Sequence, residues 1–252
     1  MERITSRANP LVAHIRKLNA NRAYRRESGE FCCEGPKLLD EALRWSARVS
    51  TVLTAESASP FLNLPAHIRQ VSLPDALLDA VASTETPQGM VFLCRMPDLS
   101  PPDKLAGRRY LVLDGLQDPG NVGTIWRTAD AFDADGLFLI HHCADPYSPK
   151  TVRATMGAVF RLSVWEAELP ELKRLLSEAS IPLYATALHA DAADVRGQPL
   201  IPAAVLIGSE GGGISPEALY ASERILKIPM KDRCESLNAA AAACVVLWEM
   251  YR

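Results

Sequence analysis

The sequence predicts an α/β protein with two domains, the second built on a mostly parallel sheet covered by helices. Two observations carry this prediction. After residue 109, short apolar runs that suit buried strands alternate with helical segments. A stretch with three prolines and no apolar period separates this part from a first half of similar alternation. We therefore expect an N-terminal domain at 1–96, a linker at 97–108 and a C-terminal domain at 109–252.

The first half has the pattern of a small α/β domain. Four short apolar runs predict strands, at 31–34, 49–54, 68–72 and 91–94. Three segments with helical spacing of apolar residues predict helices, at 11–18, 36–45 and 74–81.

The second half alternates more regularly. Strands are predicted at 110–114, 136–140, 159–164, 183–187, 204–207 and 225–228. Helices are predicted at 122–132, 149–156 and 170–179, then a short one from Pro216 and a last one at 237–250. Strands that are apolar along their whole length are typical of a parallel sheet buried on both faces.

Composition places the chain among ordinary globular proteins. Of its 252 residues, 48% are apolar and 23% are charged. The longest uninterrupted apolar run, 239–248, is about half of the roughly 20 residues that a membrane-spanning helix needs. Because no apolar segment follows Arg3 and Arg7, no signal peptide is visible. We expect a cytoplasmic protein that does not bind membranes.

The cysteines do not indicate a metal site. They are scattered, with no C-x-x-C pair and no histidine at zinc-ligand spacing, so we expect reduced and partly buried thiols and no metal. The six are Cys32, Cys33, Cys94, Cys143, Cys234 and Cys244.

The net charge of −3 hides an uneven distribution. Residues 1–30 contain seven basic and three acidic side chains, an excess of four positive charges that leaves −7 on the rest. A basic end of this kind is typical of a surface that binds nucleic-acid phosphates. A solvated basic helix without a partner explains it equally well.

Three segments follow predicted strands, and open α/β sheets bind ligands at the carboxyl ends of their strands. The first is Asn121-Val-Gly-Thr-Ile-Trp-Arg127, at a helix whose first turn is predicted to begin at Asn121. It offers an amide and a cation near a strand end; the alternative is a plain strand–helix connection capped by Asn121. Gly115, Gly120 and Gly123 do not match the dinucleotide-binding fingerprint.

The second segment is Gly208-Ser-Glu-Gly-Gly-Gly-Ile-Ser215. Its three successive glycines let backbone groups approach a ligand without obstruction. Ile214 takes the place of the lysine that a phosphate-binding P-loop requires, and Glu210 would repel a phosphate. We expect a cradle for a ligand other than a polyphosphate; the alternative is a flexible turn.

The third segment is Ile228-Pro-Met-Lys-Asp-Arg-Cys-Glu-Ser-Leu-Asn238, which leaves a strand and enters an alanine-rich helix. Ser236 is the predicted N-cap, and Asn238 lies in the first turn. The small residues at 239–243 let another element pack closely. On its own, such a segment most often begins a core helix.

In this order and at these intervals, the three segments resemble the SpoU/TrmH family of RNA ribose 2′-O-methyltransferases, within the SPOUT superfamily. The resemblance includes Arg153-Ala-Thr-Met-Gly-Ala-Val-Phe-Arg-Leu162. Two earlier segments, Phe31-Cys-Cys-Glu-Gly-Pro-Lys-Leu-Leu-Asp-Glu-Ala42 and Thr84-Glu-Thr-Pro-Gln-Gly89, are similar to the ribosomal-protein-like substrate-binding domain of many members. One departure is Lys231-Asp-Arg-Cys234, which is more charged than the glycine-containing linker expected there.

The resemblance implies a fold, a cofactor and an assembly. It implies a SPOUT α/β domain with a deep trefoil knot, S-adenosylmethionine as the cofactor, and a homodimer with composite active sites. Matched to the family's catalytic positions are Asn121, Arg127, Glu210, Ser236 and Asn238. Matched to its cofactor loops are Gly208, Glu210, Gly211, Ile228, Met230, Ser236, Leu237 and Asn238.

Methyl transfer to a ribose requires the 2′-oxygen to be aligned and to lose its proton. A guanidinium is a poor base at neutral pH, so we predict that Arg127 stabilises the developing alkoxide, and the proton acceptor stays open. The basic residues within 1–30 would then hold folded RNA, with ribosomal RNA favoured over transfer RNA.

Other functions stay open. A transfer-RNA ribose 2′-O-methyltransferase would use the same site. A non-catalytic RNA-binding protein would not need all five matched residues together. A dinucleotide-dependent oxidoreductase is disfavoured by the glycine spacing and by His141 and His142, where an acidic residue is expected.

Overall fold

The chain folds into two compact units. A computed structural model describes residues 2–58, 64–189, 191–231, 233 and 236–252. The first unit contains Met1–Pro97 and Tyr147–Phe160, and the second contains Asp98–Pro146 and Arg161–Arg252. A segment from the predicted C-terminal domain therefore packs with the first unit. The domain limits at 96 and 109 stay a prediction.

The first unit is built on a mixed sheet of five strands in the order β1-β4-β3-β5-β2. Strand β3 pairs in parallel with β4 and antiparallel with β5. The elements up to residue 97 are β1 Glu2–Arg3, α1 Pro10–Ala20, α2 Arg22–Ser28, β2 Glu30–Glu34, α3 Pro36–Arg44, β3 Val49–Ala55, β4 Arg69–Leu73, α4 Asp75–Asp79 and β5 Met90–Arg95. The four predicted strands and three predicted helices are present, whereas β1 and α2 were not predicted.

Helix α2 shows why the sequence signal failed there. The helix is short and mostly polar, so it has no apolar period. Asn21 caps it by accepting a hydrogen bond from the backbone N–H of Tyr24 at 3.0 Å. Arg25, which is buried, donates to the backbone carbonyl of Leu18 near the end of α1. Contact with the preceding helix stabilises α2, and such contacts are invisible in a local pattern.

The second unit is built on a seven-stranded sheet in the order β10-β12-β9-β11-β6-β7-β8. Every pairing among its described strands is parallel, which confirms the predicted parallel sheet. The elements from residue 98 onward are β6 Arg109–Asp114, α5 Pro119–Ala131, β7 Gly136–Ile140, α6 Pro149–Thr155, β8 Val164–Glu166, α7 Leu169–Glu178, β9 Leu183–Thr186, β10 Ala193–Asp194, β11 Ala203–Gly208, α8 Pro216–Ala221, β12 Arg224–Lys227 and α9 Ala239–Tyr251.

Helices cover both faces of this sheet. The leucines of α7 and Ala218 of α8 pack with Val112, Phe138 and Leu206 in one buried cluster. Helices α5 and α9 pack against each other, and they contact β7 and β11 respectively. Strands β6, β7 and β11 are therefore buried on both sides, as their continuous apolar sequences predicted. Among the described helices, none is both long and apolar enough to cross a membrane.

The segment Tyr147–Phe160 packs by aromatic contacts within the first unit. The rings of Tyr147 and Phe160 lie 4.7 and 6.5 Å from the ring of Phe31 on β2. The predicted strand at 159–164 is wrong: a 3-10 turn, Ala158–Phe160, precedes the short strand β8. Met156 and Gly157 are both left-handed, and this turns the chain away from an extended path.

Most of the described thiols are buried. Cys32, Cys33, Cys94 and Cys143 are buried and free, whereas Cys244 is exposed and Cys234 lies outside the described residues. Burial raises the pKa of the Cys143 thiol to about 11, and it raises that of Cys32 further. No cluster of potential metal ligands occurs among the residues that the structure describes.

Candidate active site

The helix of the first segment begins earlier than predicted. Helix α5 starts at Pro119, and its N-cap is Asp118, which accepts the backbone N–H groups of Gly120 and Asn121. Asn121 is therefore neither the cap nor the first helical residue. Because Asp118 satisfies the open end of the helix, the side chain of Asn121 is left for other partners.

The second segment folds into a closed turn after β11. Ser209 and Gly213 exchange two backbone hydrogen bonds, of 3.0 and 2.9 Å. A Cβ atom at Gly208 would overlap the backbone of Gly213 and Ile214, whereas one at Gly211 would meet no atom within 4 Å. Glycine is thus required by close packing at 208, while Glu210 and Gly211 are exposed at the tip.

The third segment enters α9 through Asn238, not Ser236. The side-chain oxygen of Asn238 accepts the backbone N–H groups of Ala240 and Ala241, at 2.9 and 3.4 Å. The predicted N-cap at Ser236 is therefore wrong by two residues. Ser236 itself is exposed.

One chain of side-chain hydrogen bonds joins all three segments. The amide nitrogen of Asn121 donates to Glu210 Oε1, and the amide nitrogen of Asn238 donates to Asn121 Oδ1 at 3.2 Å. These residues are far apart in sequence but meet because β6 and β11 are neighbours with Asp114 paired to Gly208. Asn121 uses both ends of its amide group, which sets its orientation.

A cleft of about 250 Å³ lies beside the glycine turn. Six of the eight residues matched to cofactor loops line it: Gly208, Glu210, Ile228, Met230, Ser236 and Leu237. Gly211 and Asn238 do not line it. Sequence reasoning missed Thr186, which ends β9, and Ala187 and Leu188, which follow it. The signal was the end of a predicted strand, but only the strand order shows that β9 neighbours β11.

Arg127 lies apart from this cluster. It is six residues after Asn121, so it sits about 9 Å further along the helix axis and about a third of a turn round it. Its side chain is exposed and does not line the cleft. Arg127 forms no hydrogen bond or ion pair with any residue that the structure describes.

Comparison with known proteins identifies the family. The model of the SpoU rRNA Methylase family matches residues 108–248, more than half of the chain. This chain belongs to the SpoU rRNA Methylase family. A second model, the MRM3-like substrate binding domain, matches residues 9–91. The family resemblance drawn from the three segments is therefore confirmed.

Relatives of this SpoU family member match it over nearly its whole length. The 23S rRNA (guanosine(2553)-2'-O)-methyltransferase RlmP of Bacillus subtilis is 32% identical over 99% of both chains. An AdoMet-bound rRNA methyltransferase from Sinorhizobium meliloti is 30% identical, with a TM-score of 0.87 over 99% of this chain and 97% of that one. The SpoU methyltransferase AviRb from Streptomyces viridochromogenes, in complex with AdoMet, is 29% identical, with a TM-score of 0.88 over 97% of both chains.

The glycine turn generates a stability prediction. Gly208→Ala forces the turn apart, because the added methyl overlaps backbone atoms that have no rotamer to adopt. We expect the free energy of unfolding to fall by about 1–3 kcal/mol, measured by urea denaturation. Gly211→Ala is the matched control, since its methyl enters open space. Equal stability of the two variants would show that the turn is not closely packed.

Proposed function

We propose that this protein is an enzyme that transfers a methyl group from S-adenosylmethionine to a ribose 2′-hydroxyl of ribosomal RNA. The observation that carries the proposal is the Asn121–Glu210–Asn238 chain beside the cleft, in a member of the SpoU family. Ribosomal RNA is favoured over transfer RNA because the Bacillus relative is named for 2′-O-methylation of 23S rRNA.

The cleft suits S-adenosylmethionine. The cleft has an apolar wall that suits the adenine ring of the cofactor, formed by Ile207, Leu226 and Ile228. Gly208 and Gly213 of the glycine turn line the cleft, and because neither carries a side chain, the backbone there can approach a ligand closely. When bound, S-adenosylmethionine supplies an activated methyl group on a sulfonium.

The side chains divide the remaining work. Asn121, Glu210 and Asn238 hold the ribose and the edge of the cleft, and their mutual hydrogen bonds preserve this arrangement before RNA arrives. Ser236 and Leu237 line the cleft. Arg127 stabilises the negative charge that develops on the 2′-oxygen as its proton leaves, because a guanidinium stays cationic at neutral pH.

Transfer of labelled methyl groups to bacterial RNA tests the activity. Ribosomal and transfer RNA from cells that lack the gene are incubated separately with the protein and digested to nucleosides. We expect a labelled 2′-O-methylated nucleoside from the ribosomal fraction. Label only in the transfer fraction would favour a transfer-RNA enzyme, and no methylation together with no cofactor binding would favour a non-catalytic RNA-binding protein.

Arg127→Ala is expected to lower the rate of methyl transfer by about 10²- to 10³-fold, because one preorganised charge on the developing oxyanion is removed. The Kd for S-adenosylmethionine, measured by calorimetry, should stay unchanged because Arg127 does not line the cleft. Arg174→Ala, which removes another exposed arginine of the second unit, is the control. Full turnover by Arg127→Ala would remove this residue from the mechanism.

We further propose that two copies of the chain form a dimer through α5 and α9. Trp248 and Tyr251 of α9 are half exposed, and both rings contact Phe132, which follows α5. Exposed aromatic side chains on adjacent helices are typical of protein interfaces. Arg127 is exposed on α5. In a dimer formed through α5 and α9, it would lie at the interface and act in the cleft of the second copy.

Mixing two inactive variants tests this composite site. Arg127→Ala and Glu210→Ala chains are each expected to be inactive alone. After subunit exchange, mixed dimers should recover about a quarter of the wild-type activity, because half of the dimers are mixed and each has one intact site. No recovery, with subunit exchange demonstrated by a tag, would place Arg127 and Glu210 in the same chain's site.

The RNA-binding surface is proposed to include exposed basic residues of the first unit. Arg7 and Arg16 are exposed and form no hydrogen bond or ion pair with other described residues. Arg25 is buried, and Arg3 is paired with Glu56 at 2.7 Å. The basic excess in residues 1–30 is therefore only partly available to phosphates.

The RNA affinity is expected to fall steeply with salt, because each phosphate that the protein neutralises releases condensed counterions. Replacing Arg7 and Arg16 together by alanine should reduce the slope of log K against log salt by about one for each phosphate that the variant no longer neutralises. The slope is measured by filter binding, with Arg174→Ala as the control. An unchanged slope in the double variant would exclude both residues from the interface.

We also propose a deep trefoil knot in the C-terminal domain, which the family resemblance implies, and a cytoplasmic location, which the composition of the sequence predicted. Single-molecule stretching from the two chain ends tests the knot, because a knotted chain retains a shorter contour length than its residue number requires.

A further inference from the structure

A buried carboxylate at the end of β6 joins the residue that follows β7 to the N-cap of α8. Asp114 ends β6 and is only 3% exposed. Its Oδ1 lies 2.7 Å from His141 Nδ1, and its Oδ2 accepts the backbone N–H of Ser215 at 2.8 Å. Because burying a polar group is costly unless it is hydrogen-bonded, both contacts stabilise Asp114 inside the fold.

The contacts also indicate which ring nitrogen of His141 carries a hydrogen. A nitrogen this close to a carboxylate oxygen must carry a hydrogen, so Nδ1–H donates to Asp114. Ser215 Oγ lies 3.3 Å from the same nitrogen and caps α8 by accepting the N–H of Ala218 at 3.4 Å. On the other side of the ring, Nε2 lies 3.7 Å from Glu217 Oε1.

These residues do not form a nucleophilic triad. In a Ser-His-Asp triad the acid and the serine bond to different ring nitrogens. Here Asp114 and Ser215 both approach Nδ1, and the serine oxygen is engaged as a helix cap. The arrangement holds groups in place and does not activate a nucleophile.

We infer that His141 is a positioning residue which, through Asp114, fixes the glycine turn that borders the cofactor cleft. Ser215 follows Gly213 and Ile214, which line the cleft, so its tethered N–H anchors the end of the turn opposite to Gly208. His141 has a left-handed backbone with φ of 51°, and this conformation directs its ring back over Asp114. Without the imidazole, Oδ1 of Asp114 loses its hydrogen-bond donor. The carboxylate then no longer holds the backbone N–H of Ser215 in a fixed position, and the turn becomes less ordered.

The inference rests on the proposed use of S-adenosylmethionine, and amide exchange in the protein without ligand tests it independently. His141→Asn tolerates a left-handed backbone and keeps an N–H donor near the Nδ1 position, whereas His141→Gln moves its donor to the Nε2 position. We expect faster hydrogen exchange of residues 209–215 in His141→Gln and exchange close to wild type in His141→Asn.

The affinity for S-adenosylmethionine should rank the variants in the same order as their hydrogen exchange. We expect His141→Gln to raise the Kd and KM for S-adenosylmethionine about tenfold with kcat changed far less, because a less populated turn reduces the apparent affinity. His142→Gln is the matched control: His142 is the exposed neighbour, has φ of 58°, and its side chain forms no hydrogen bond or ion pair with described residues.

The outcomes separate the two proposals. Wild-type exchange and affinity in His141→Gln, or equal defects in His141→Asn and His141→Gln, would overturn the positioning role. Faster exchange in His141→Gln alone would support it, even if wild-type protein failed to bind S-adenosylmethionine and the proposed function were lost.

Discussion

The parallel pairing of β6 with β11 is the constraint on which the second unit depends. The two strands run in register from Arg109 opposite Ala203 to Asp114 opposite Gly208. Both are buried on both faces, and a shift of one residue would exchange the faces on which every side chain packs. The register therefore brings the first two functional segments to the same level at one edge of the sheet.

The energies of the sheet and of the site differ in size. Removing a buried leucine such as Leu206 from the sheet costs about 2–5 kcal/mol, whereas an exposed hydrogen bond contributes about 0.5–1.5 kcal/mol. The Asn121–Glu210–Asn238 chain is largely exposed, so it adds little to stability. Its effect is to orient the side chains, and the packed sheet supplies the stability that makes this orientation persist.

Helices α5 and α9 connect the site to the proposed dimer surface. Asn121 and Asn238 join the helix starts, and Phe132 contacts Trp248 and Tyr251 at their ends. The two helices therefore run side by side in the same direction. A partner that covers the aromatic end would restrain the same helices that carry the polar site at their other end, which links the proposed assembly to the proposed chemistry.

The sequence by itself determined those features whose cause is local. Apolar runs located strands β6, β7 and β11, and the glycine-rich segment after β11 forms a turn. These signals lie within a few neighbouring residues, so no distant contact is needed to detect them. The family resemblance likewise came from short motifs and their intervals.

Only the tertiary structure decided the features that depend on distant partners. Helix α2 depends on contact between Arg25 and Leu18, and the path after Met156 depends on aromatic packing with Phe31. The caps of α5 and α9 fell at Asp118 and Asn238, because the backbone geometry of each entry selects one among several capable residues. The pairing of Asp114 with His141 and Ser215 exists because β6, β7 and β11 are neighbours, and the order of strands in a sheet is a long-range property that local patterns do not contain.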